Sequence, residues 1–236
     1  MNGRALALVS IGVVGLLAWA WFVQIGRGMS AMRVAMPDMQ MGVGALALMW
    51  AVMMAAMMVP AAAPSYLLHA RMSKRPLASA AYLAGYLGAW AAAGVAYALA
   101  HWGLQAAGLI GMGLKLGSAP LGGAVLIAAG AWQWSPFKAN CVARCRSPLG
   151  YMMNEWRDGV GGGFVMGLRY AVWCVGCCWL VMAVLFVVGA MSFAWAAAFS
   201  IYILAERLIP FGRAFDRAVG AALVAWGAWL IGAAIA

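Results

Sequence analysis

The sequence MGLRYAVWCVGCCWLVM, residues 166–182, indicates both the fold and the chemistry of this chain. It places Cys174, Cys177 and Cys178 at positions i, i+3 and i+4 inside an apolar run. Residues three and four apart are neighbours on a helix, so the three thiols share one helical face. Soft thiolates suit monovalent copper, zinc or iron–sulfur clusters, and thioethers join them mainly for copper. Because methionine is also abundant, at 18 of 236 residues, the leading hypothesis is a membrane protein that binds copper(I).

The composition around this stretch is that of a membrane protein. Hydrophobic residues make up 67% of the chain and charged residues 8%, whereas soluble domains are about 25% charged. We therefore predict an all-α, polytopic transmembrane bundle that forms a single domain over residues 1–236. Seven apolar runs are long enough, or nearly long enough, to cross ~30 Å of hydrocarbon. They are residues 5–25, 43–63, 77–100, 120–134, 163–189, 193–209 and 218–236.

The net charge of +10 follows the predicted topology rather than a nucleic-acid surface. The basic residues lie between the apolar runs, where the positive-inside rule puts them, and this argues against nucleic-acid binding. With the N-terminus inside, all 15 lysines and arginines fall on the inner side except Arg27, Arg33 and Lys115. The sequence thus predicts a multi-pass protein of the bacterial inner membrane. The run 120–134 is the shortest, and without it every later segment would change sides.

The other two cysteines fall in the longest polar segment, residues 135–162, which we interpret as a loop on the reducing cytoplasmic side. Cys141 and Cys145 form a CxxxC pattern, which on a helix would place the two thiols one turn apart. Arg144 and Arg146 are expected to lower the pKa of these thiols and favour thiolates. The pair is a candidate for receiving or releasing metal; an unbonded cytosolic pair is the alternative.

Methionines form two stripes on the second predicted span. Met49, Met53 and Met57 are spaced four apart, and Met54 and Met58 lie beside them. Methionine often serves as adaptable packing, but a thioether face could meet the thiolate face and enclose copper(I) between helices. Two prolines are expected to kink the end of this span, and the carbonyls that they free would need partners. They are Pro60 and Pro64.

A third methionine group precedes this span, on the predicted outer side. Met36, Met39 and Met41 form an MxxMxM pattern, which resembles the motifs by which eukaryotic copper transporters capture copper(I) outside the membrane. Exposed methionine is uncommon in loops, which favour Gly, Ser, Asn and Asp. An interfacial helix is the alternative, because Met29, Met32, Met36 and Met39 also share one helical stripe.

Three further polar residues border predicted spans. Glu206 lies near the inner end of the sixth span, where we expect an ion pair with Arg207 or Arg213. Acidic residues at membrane depth are otherwise candidates for function. His69 and His101 each border a span and are expected to lie at the membrane interface.

Several motifs closely resemble those of a bacterial family of predicted metal-binding integral membrane proteins, long grouped as a domain of unknown function. The resemblance covers most of residues 40–235. It is carried by residues 53–60 (MMAAMMVP), 136–141, 145–149, 156–159, 166–169 and 174–179 (CVGCCW), and by Glu206 ahead of Pro210. It implies a polytopic metal binder, with copper the usual metal and a small soluble partner protein sometimes encoded nearby. Many relatives have His-Gly where this chain has Tyr170-Ala171, which would make coordination here sulfur-only or weaker.

The preferred hypothesis is a non-enzymatic copper(I) protein for uptake, storage or delivery, in contact with lipid and possible partners that include a small soluble copper-binding protein or further subunits. Met36, Met39 and Met41 would capture the ion, and Met53 and Met57 with Cys174, Cys177 and Cys178 would hold it; Cys141 and Cys145 would exchange it. One alternative is a thiol–disulfide oxidoreductase, linked to quinone, that uses the CxxC of Cys174 and Cys177. Another is a helper subunit of a membrane complex, with the sulfur residues as packing.

Overall fold

The computed structural model describes residues 42–110, 115–190, 192–208 and 212–235, together with residues 12, 13, 15–17, 19–21, 23, 24, 27 and 28 of the first predicted span, which are helical. The all-α prediction is confirmed for this part of the chain, which contains no strand. From residue 42 onward, the described helices are α1 Val43–Ser73, α2 Pro76–Ala106, α3 Ala119–Trp132, α4 Pro136–Arg146, α5 Pro148–Glu155, α6 Gly159–Ala183, α7 Leu185–Val188, α8 Phe193–Leu208 and α9 Gly212–Ile235.

Four described helical segments are long and apolar enough to cross a membrane: α1, α2, α6 continued by α7, and α9 from Arg213 onward. The 31-residue helices α1 and α2 are each about 46 Å long, which exceeds the ~30 Å of a hydrocarbon core. Helices α3 and α8, with 14 and 16 residues, are about 21 and 24 Å long. The predicted spans 120–134 and 193–209 are therefore helical but short for an independent crossing.

Local sequence signals set the helix boundaries. Helix α1 ends at Ser73, and the next residue, Lys74, has a φ of 51°, in the left-handed region. The next residue, Arg75, is extended, as a residue before proline prefers, and Pro76 opens α2. Pro60 and Pro64 lie inside α1, which is nevertheless assigned as one continuous helix.

Glycines allow the central helices to approach closely. Gly163 and Gly167 of α6 lie against the backbone of Ala78 and Tyr82 of α2. A Cβ atom on Gly167 would stand 1.9 Å from the carbonyl oxygen of Tyr82, so no larger residue fits without separating the helices. Small residues at helix contacts are the usual means of close packing in membrane bundles.

The helices of the bundle alternate in direction along the chain when the shorter α3 and α8 are counted with the four long segments. Helix α2 is antiparallel to α1 and parallel to α6, α8 is parallel to α1, and α9 is antiparallel to α3. The residue pairs in contact show these directions. For α1 and α2 they are Ala51 with Gly94 and Met58 with Tyr86, and for α2 and α6 they are Ala78 with Gly163 and Tyr82 with Gly167. For α1 and α8 they are Met57 with Ser200 and Ala61 with Arg207, and for α3 and α9 they are Gly123 with Gly227 and Gly130 with Gly220. The turns rich in lysine and arginine therefore gather at one end of the bundle.

The segment from α3 to α5 runs beside α6 and α7 in the opposite direction. Successive contacts descend along α6, namely Gly122 with Val187, Trp132 with Trp179, Cys141 with Gly176, Cys145 with Tyr170, and Tyr151 with Met166. The prediction of a cytoplasmic loop over residues 135–162 is therefore wrong in its structure. Hydropathy missed α4 and α5 because both are short and carry polar residues, yet they continue the path of α3, and α4 brings its two cysteines to the core.

Candidate metal centre

Helix α6 brings three thiols together, as their spacing predicts. Cys174, Cys177 and Cys178 are buried, with exposed fractions of 0%, 2% and 0%. The thiols of Cys177 and Cys178 donate hydrogen bonds to the carbonyl oxygen of Cys174, at 2.9 and 3.0 Å. The side chains therefore turn back along the preceding turn of the helix, the direction that helical geometry favours.

A fourth thiol arrives from α4. The Cys145 thiol lies within hydrogen-bonding reach of Cys174 and Cys177, and those two thiols in turn interact with Cys178. Tyr170 holds the α4 backbone in place, because its hydroxyl donates to the carbonyl oxygen of Cys145 at 3.0 Å. We call Cys145, Cys174, Cys177 and Cys178 the thiol cluster. Tyr170, which stands where the resembling family often has histidine, thus orients a cysteine.

The two cysteines of the CxxxC pattern have different environments. Cys141 packs against Gly176 of α6. Burial raises the pKa of the Cys141 thiol, and hydrogen bonding to Cys174 raises that of Cys145. Arg144 lowers the pKa of Cys141 as expected, but burial has the larger effect and the pKa rises. The Arg144 guanidinium lies over the ring of Trp173, 3.7 Å from its centroid.

Arg207 contacts the thiol cluster directly. Its Nη2 lies 2.5 Å from the Sγ of Cys174, and its Nη1 donates to the carbonyl oxygen of Ala61 at 2.7 Å. A guanidinium has only donors, so the sulfur must accept, and a thiolate accepts better than a thiol. No carboxylate among the described residues lies within ion-pair distance of Arg207. The predicted Glu206–Arg207 and Glu206–Arg213 pairs are thus not formed.

Glu206 instead pairs with Lys138 of α4, with Oε1 and Nζ 2.6 Å apart and both side chains 2% exposed. The Lys138 ammonium also contacts Gln133 and Tyr202, and Asp216 lies 3.9 Å away. This buried ion pair joins α4 to α8, the two helices that supply Cys145 and Arg207. It therefore positions two members of the candidate site. Sequence reasoning missed Lys138 because it falls in the segment interpreted as a solvated loop.

Tyr86 of α2 connects the thiol cluster to the methionine helix. Its hydroxyl oxygen lies 3.2 Å from the Sγ of Cys174 and donates to the carbonyl oxygen of Met58 at 3.4 Å. Ser200 of α8 donates similarly to the carbonyl oxygen of Met57. Pro60 and Pro64 leave the carbonyls of Ala56 and Pro60 without their helical partners. The carbonyls of Met57 and Met58, which receive the side-chain hydrogen bonds, lie between these two.

The four methionines of the predicted intramembrane site are fully buried in the core that also contains the thiol cluster. They are Met53, Met54, Met57 and Met58, each with an exposed fraction of 0%. That their thioethers join the thiols around a metal ion stays a prediction. Met36, Met39 and Met41 lie outside the described residues, and so do Met29 and Met32.

The thiol cluster does not have a preformed metal geometry. Among the described residues, no three His, Cys, Asp or Glu side chains are arranged to hold a metal ion. Two of the thiols donate to the carbonyl oxygen of Cys174 instead of facing a common point. The donor set is nevertheless soft, dry and near a cation, which suits a monovalent soft metal.

Both histidines are buried, contrary to the expectation of an interfacial position. His69 is 1% exposed and His101 is 0% exposed. The Nδ1 of His101 accepts a hydrogen bond from the indole of Trp50 at 3.2 Å. His69 stacks on the ring of Tyr82, with centroids 4.7 Å apart. Neighbouring aromatic rings cover much of both imidazoles.

Comparison with known proteins gives one match. The profile of a protein family described as PpoB2, a copper chaperone, matches residues 47–230. No curated protein and no solved structure matches the chain. The matched range contains all of α2 to α8, and therefore the thiol cluster, Arg207 and the buried ion pair of Lys138 and Glu206.

Proposed function

The chain belongs to the PpoB2 copper chaperone family, and from this we propose that it binds copper(I) at the thiol cluster and delivers the ion to other proteins from the bacterial inner membrane. The observation that carries the proposal is the convergence of Cys145 from α4 on the three cysteines of α6, beside Arg207. A family described as a copper chaperone suggests a carrier and not a catalyst.

The charge of the site suits copper(I). Metal-binding thiols must lose their protons, and each thiolate buried without a partner would carry a large desolvation cost. Copper(I) between two thiolates leaves one negative charge, which the guanidinium of Arg207 offsets at a distance of 2.5 Å from Cys174. The hydroxyl oxygen of the neighbouring Tyr86 lies 3.2 Å from the same sulfur. The surroundings therefore stabilise a monoanionic complex inside an apolar bundle.

The methionine helix supplies the second part of the proposed site. Met53 and Met57 would offer thioethers to an ion held by Cys174, Cys177 and Cys178, with Met54 and Met58 beside them. The support is that these side chains share one buried core with the thiols and that Tyr86 and Arg207 each bridge α1 to Cys174. Thioethers bind without losing a proton, so they add donors and no charge.

A membrane position with seven crossings and the N-terminus inside is supported by the bundle. Four described helical segments are long enough to cross, and the alternating directions give α3 and α8 the orientation of crossing segments. In that arrangement the end rich in lysine and arginine faces the cytoplasm, as the positive-inside rule requires. Helix α6 begins at that end, and Cys174, Cys177 and Cys178 lie just beyond its midpoint.

Metal content provides the test. Protein purified anaerobically from copper-supplemented cells should carry stoichiometric copper by inductively coupled plasma mass spectrometry. The variant with Cys174→Ser and Cys178→Ser should fall to background. Cys141→Ser is the matched control, because Cys141 is buried against α6 but is not a member of the thiol cluster. This variant should keep most of its copper.

Two results would contradict the proposal. An unchanged copper content in the double variant would show that copper does not bind at the thiol cluster. A wild-type protein that contains no copper and shows a Cys174–Cys177 disulfide by mass spectrometry of alkylated peptides would favour thiol–disulfide exchange instead.

A further inference from the structure

A cavity lies at the basic end of the bundle, apart from the thiol cluster. Its volume is about 450 Å³, within the range of ligand sites. The end of α1, the start of α2 and the turn before α6 form its walls. Residues of these walls that matter below are His69, Met72, Arg75, Trp156, Arg157 and Asp158.

His69 lines this cavity, and one of its ring nitrogens is buried. Its ring lies between two aromatic rings, with centroids 4.7 Å from Tyr82 and 5.5 Å from Trp156, and it is tilted by 20° and 31° to them. The Nδ1 atom is buried and has no hydrogen-bond partner among the described residues. A buried polar atom without a partner is costly and uncommon, so it indicates a missing ligand.

Met72 stands beside His69 with a soft donor. It follows His69 by three residues on α1, which puts both side chains on one helical face. It is 38% exposed and lines the cavity, whereas the methionines near the thiol cluster are fully buried. An exposed thioether next to an unpartnered imidazole is a donor pair that suits copper(I).

Trp156 adds an aromatic face to this pair. Its indole nitrogen donates to the carboxylate of Asp158 at 3.0 Å, which fixes the ring beside His69. An indole face attracts a cation, and tryptophan does so more strongly than tyrosine or phenylalanine. The hydrogen bond also engages Asp158, the carboxylate that a harder divalent ion would otherwise use.

We propose that His69 and Met72 bind copper(I) in this cavity, against the ring of Trp156, as a second and weaker site than the thiol cluster. The inference rests on the proposed function, because it assigns the same ion to a second place. Arg75 and Arg157 also line the cavity, and their repulsion is half as strong for a monovalent ion as for a divalent one. The arginines therefore favour copper(I) over zinc.

The position of the cavity gives this site a role in exchange. Tyr82 stacks on His69 and lies 6.4 Å, between ring centroids, from Tyr170, whose hydroxyl holds Cys145. Two tyrosine rings thus separate the cavity from the thiol cluster. An ion bound by a neutral imidazole and a thioether is held less tightly than one bound by thiolates, so the cavity site would exchange copper more readily with a carrier.

The test measures copper(I) retention by the full-length protein, in detergent and under anaerobic conditions, against a weak and a strong chelator such as bicinchoninate and bathocuproine disulfonate. His69→Phe keeps the aromatic stack and removes the nitrogen, and Met72→Leu keeps the volume and removes the sulfur. Met153→Leu is the control, because Met153 is 72% exposed and does not line the cavity. X-ray absorption at the copper edge detects imidazole scattering directly.

We expect the wild type to hold a weaker class of copper that the strong chelator removes, with about tenfold or greater loss of its affinity in each cavity variant. Imidazole scattering should vanish in His69→Phe and persist in Met153→Leu. Unchanged retention and scattering in His69→Phe and Met72→Leu would overturn the cavity site while leaving the thiol site intact. Copper that survives Cys174→Ser with Cys178→Ser but is lost in His69→Phe would support the cavity and refute the thiol site. A protein that binds no copper would refute both.

Discussion

Replacing Arg207 with methionine should weaken copper(I) binding while leaving the bundle folded. The guanidinium contributes a charge-assisted hydrogen bond to the Sγ of Cys174 at 2.5 Å, and such bonds contribute about 1.5–3 kcal/mol. At about 1.4 kcal/mol for each factor of ten, affinity should fall by roughly 10- to 100-fold. Because Arg207 is half-buried, water can screen part of the charge, which favours the lower half of that range.

The assay is competition for copper(I) with a chelator of known affinity, with helix content and thermal unfolding measured on the same samples. Arg207→Lys keeps the charge, but a single ammonium does not reproduce the fork that reaches both Cys174 and Ala61, so its affinity should be intermediate. Arg169→Met is the matched control, since it removes one positive charge from α6 at a side chain 51% exposed and paired with Glu155. Arg207→Met that binds copper as tightly as Arg169→Met would refute the charge-compensation argument.

Three further variants probe the supports of the site. Lys138→Met should destabilise the protein by about 3–5 kcal/mol, because it leaves the buried Glu206 carboxylate without its partner; Lys138→Met combined with Glu206→Gln should recover much of that loss in thermal unfolding. Cys145→Ser should lower copper retention more than Cys141→Ser does, because Cys145 is the α4 cysteine that interacts with both Cys174 and Cys177. Gly167→Ala should cost about 1–3 kcal/mol of stability, because its Cβ atom would overlap the carbonyl oxygen of Tyr82.

Each of these expectations has a clear contrary result. A Lys138→Met protein as stable as the wild type would mean that the pair does not join α4 to α8 in solution. Equal copper retention in Cys145→Ser and Cys141→Ser would mean that the CxxxC pair acts as a unit. Gly161→Ala is a control for the glycine substitution, because a Cβ atom there meets no neighbouring atom.

The membrane-type, helical character of the chain was predictable from local patterns. Apolar runs of sufficient length identify candidate spans, and α1, α2, α6 with α7, and α9 all coincide with predicted ones. The segment from Pro136 to Glu155 was not predictable in this way. Its two short helices carry charged residues, and only contact with α6 stabilises them in place of a loop.

The candidate site, too, was predictable from the sequence only in part. The spacing of Cys174, Cys177 and Cys178 places three thiols on one face whatever the fold, because helical geometry links neighbours three and four apart. The positions of Cys145 and Arg207 depend on packing between helices distant in sequence; Arg207 lies 33 residues from Cys174. The available signal is a charged Arg207 at the end of an apolar run, next to Glu206, and the sequence alone favours a local pair of the two.

The sequence by itself determined an all-helical chain with several apolar segments, and it determined which helix presents the cysteines. Those properties depend on hydrophobicity and on a repeat of 3.6 residues, which act over neighbouring residues only. The tertiary structure decided which cysteine of the CxxxC pair joins the cluster, that Lys138 pairs with Glu206, and that Arg207 is released to face Cys174. A buried charge must find a partner wherever the packing of helices provides one, and sequence spacing does not encode that choice.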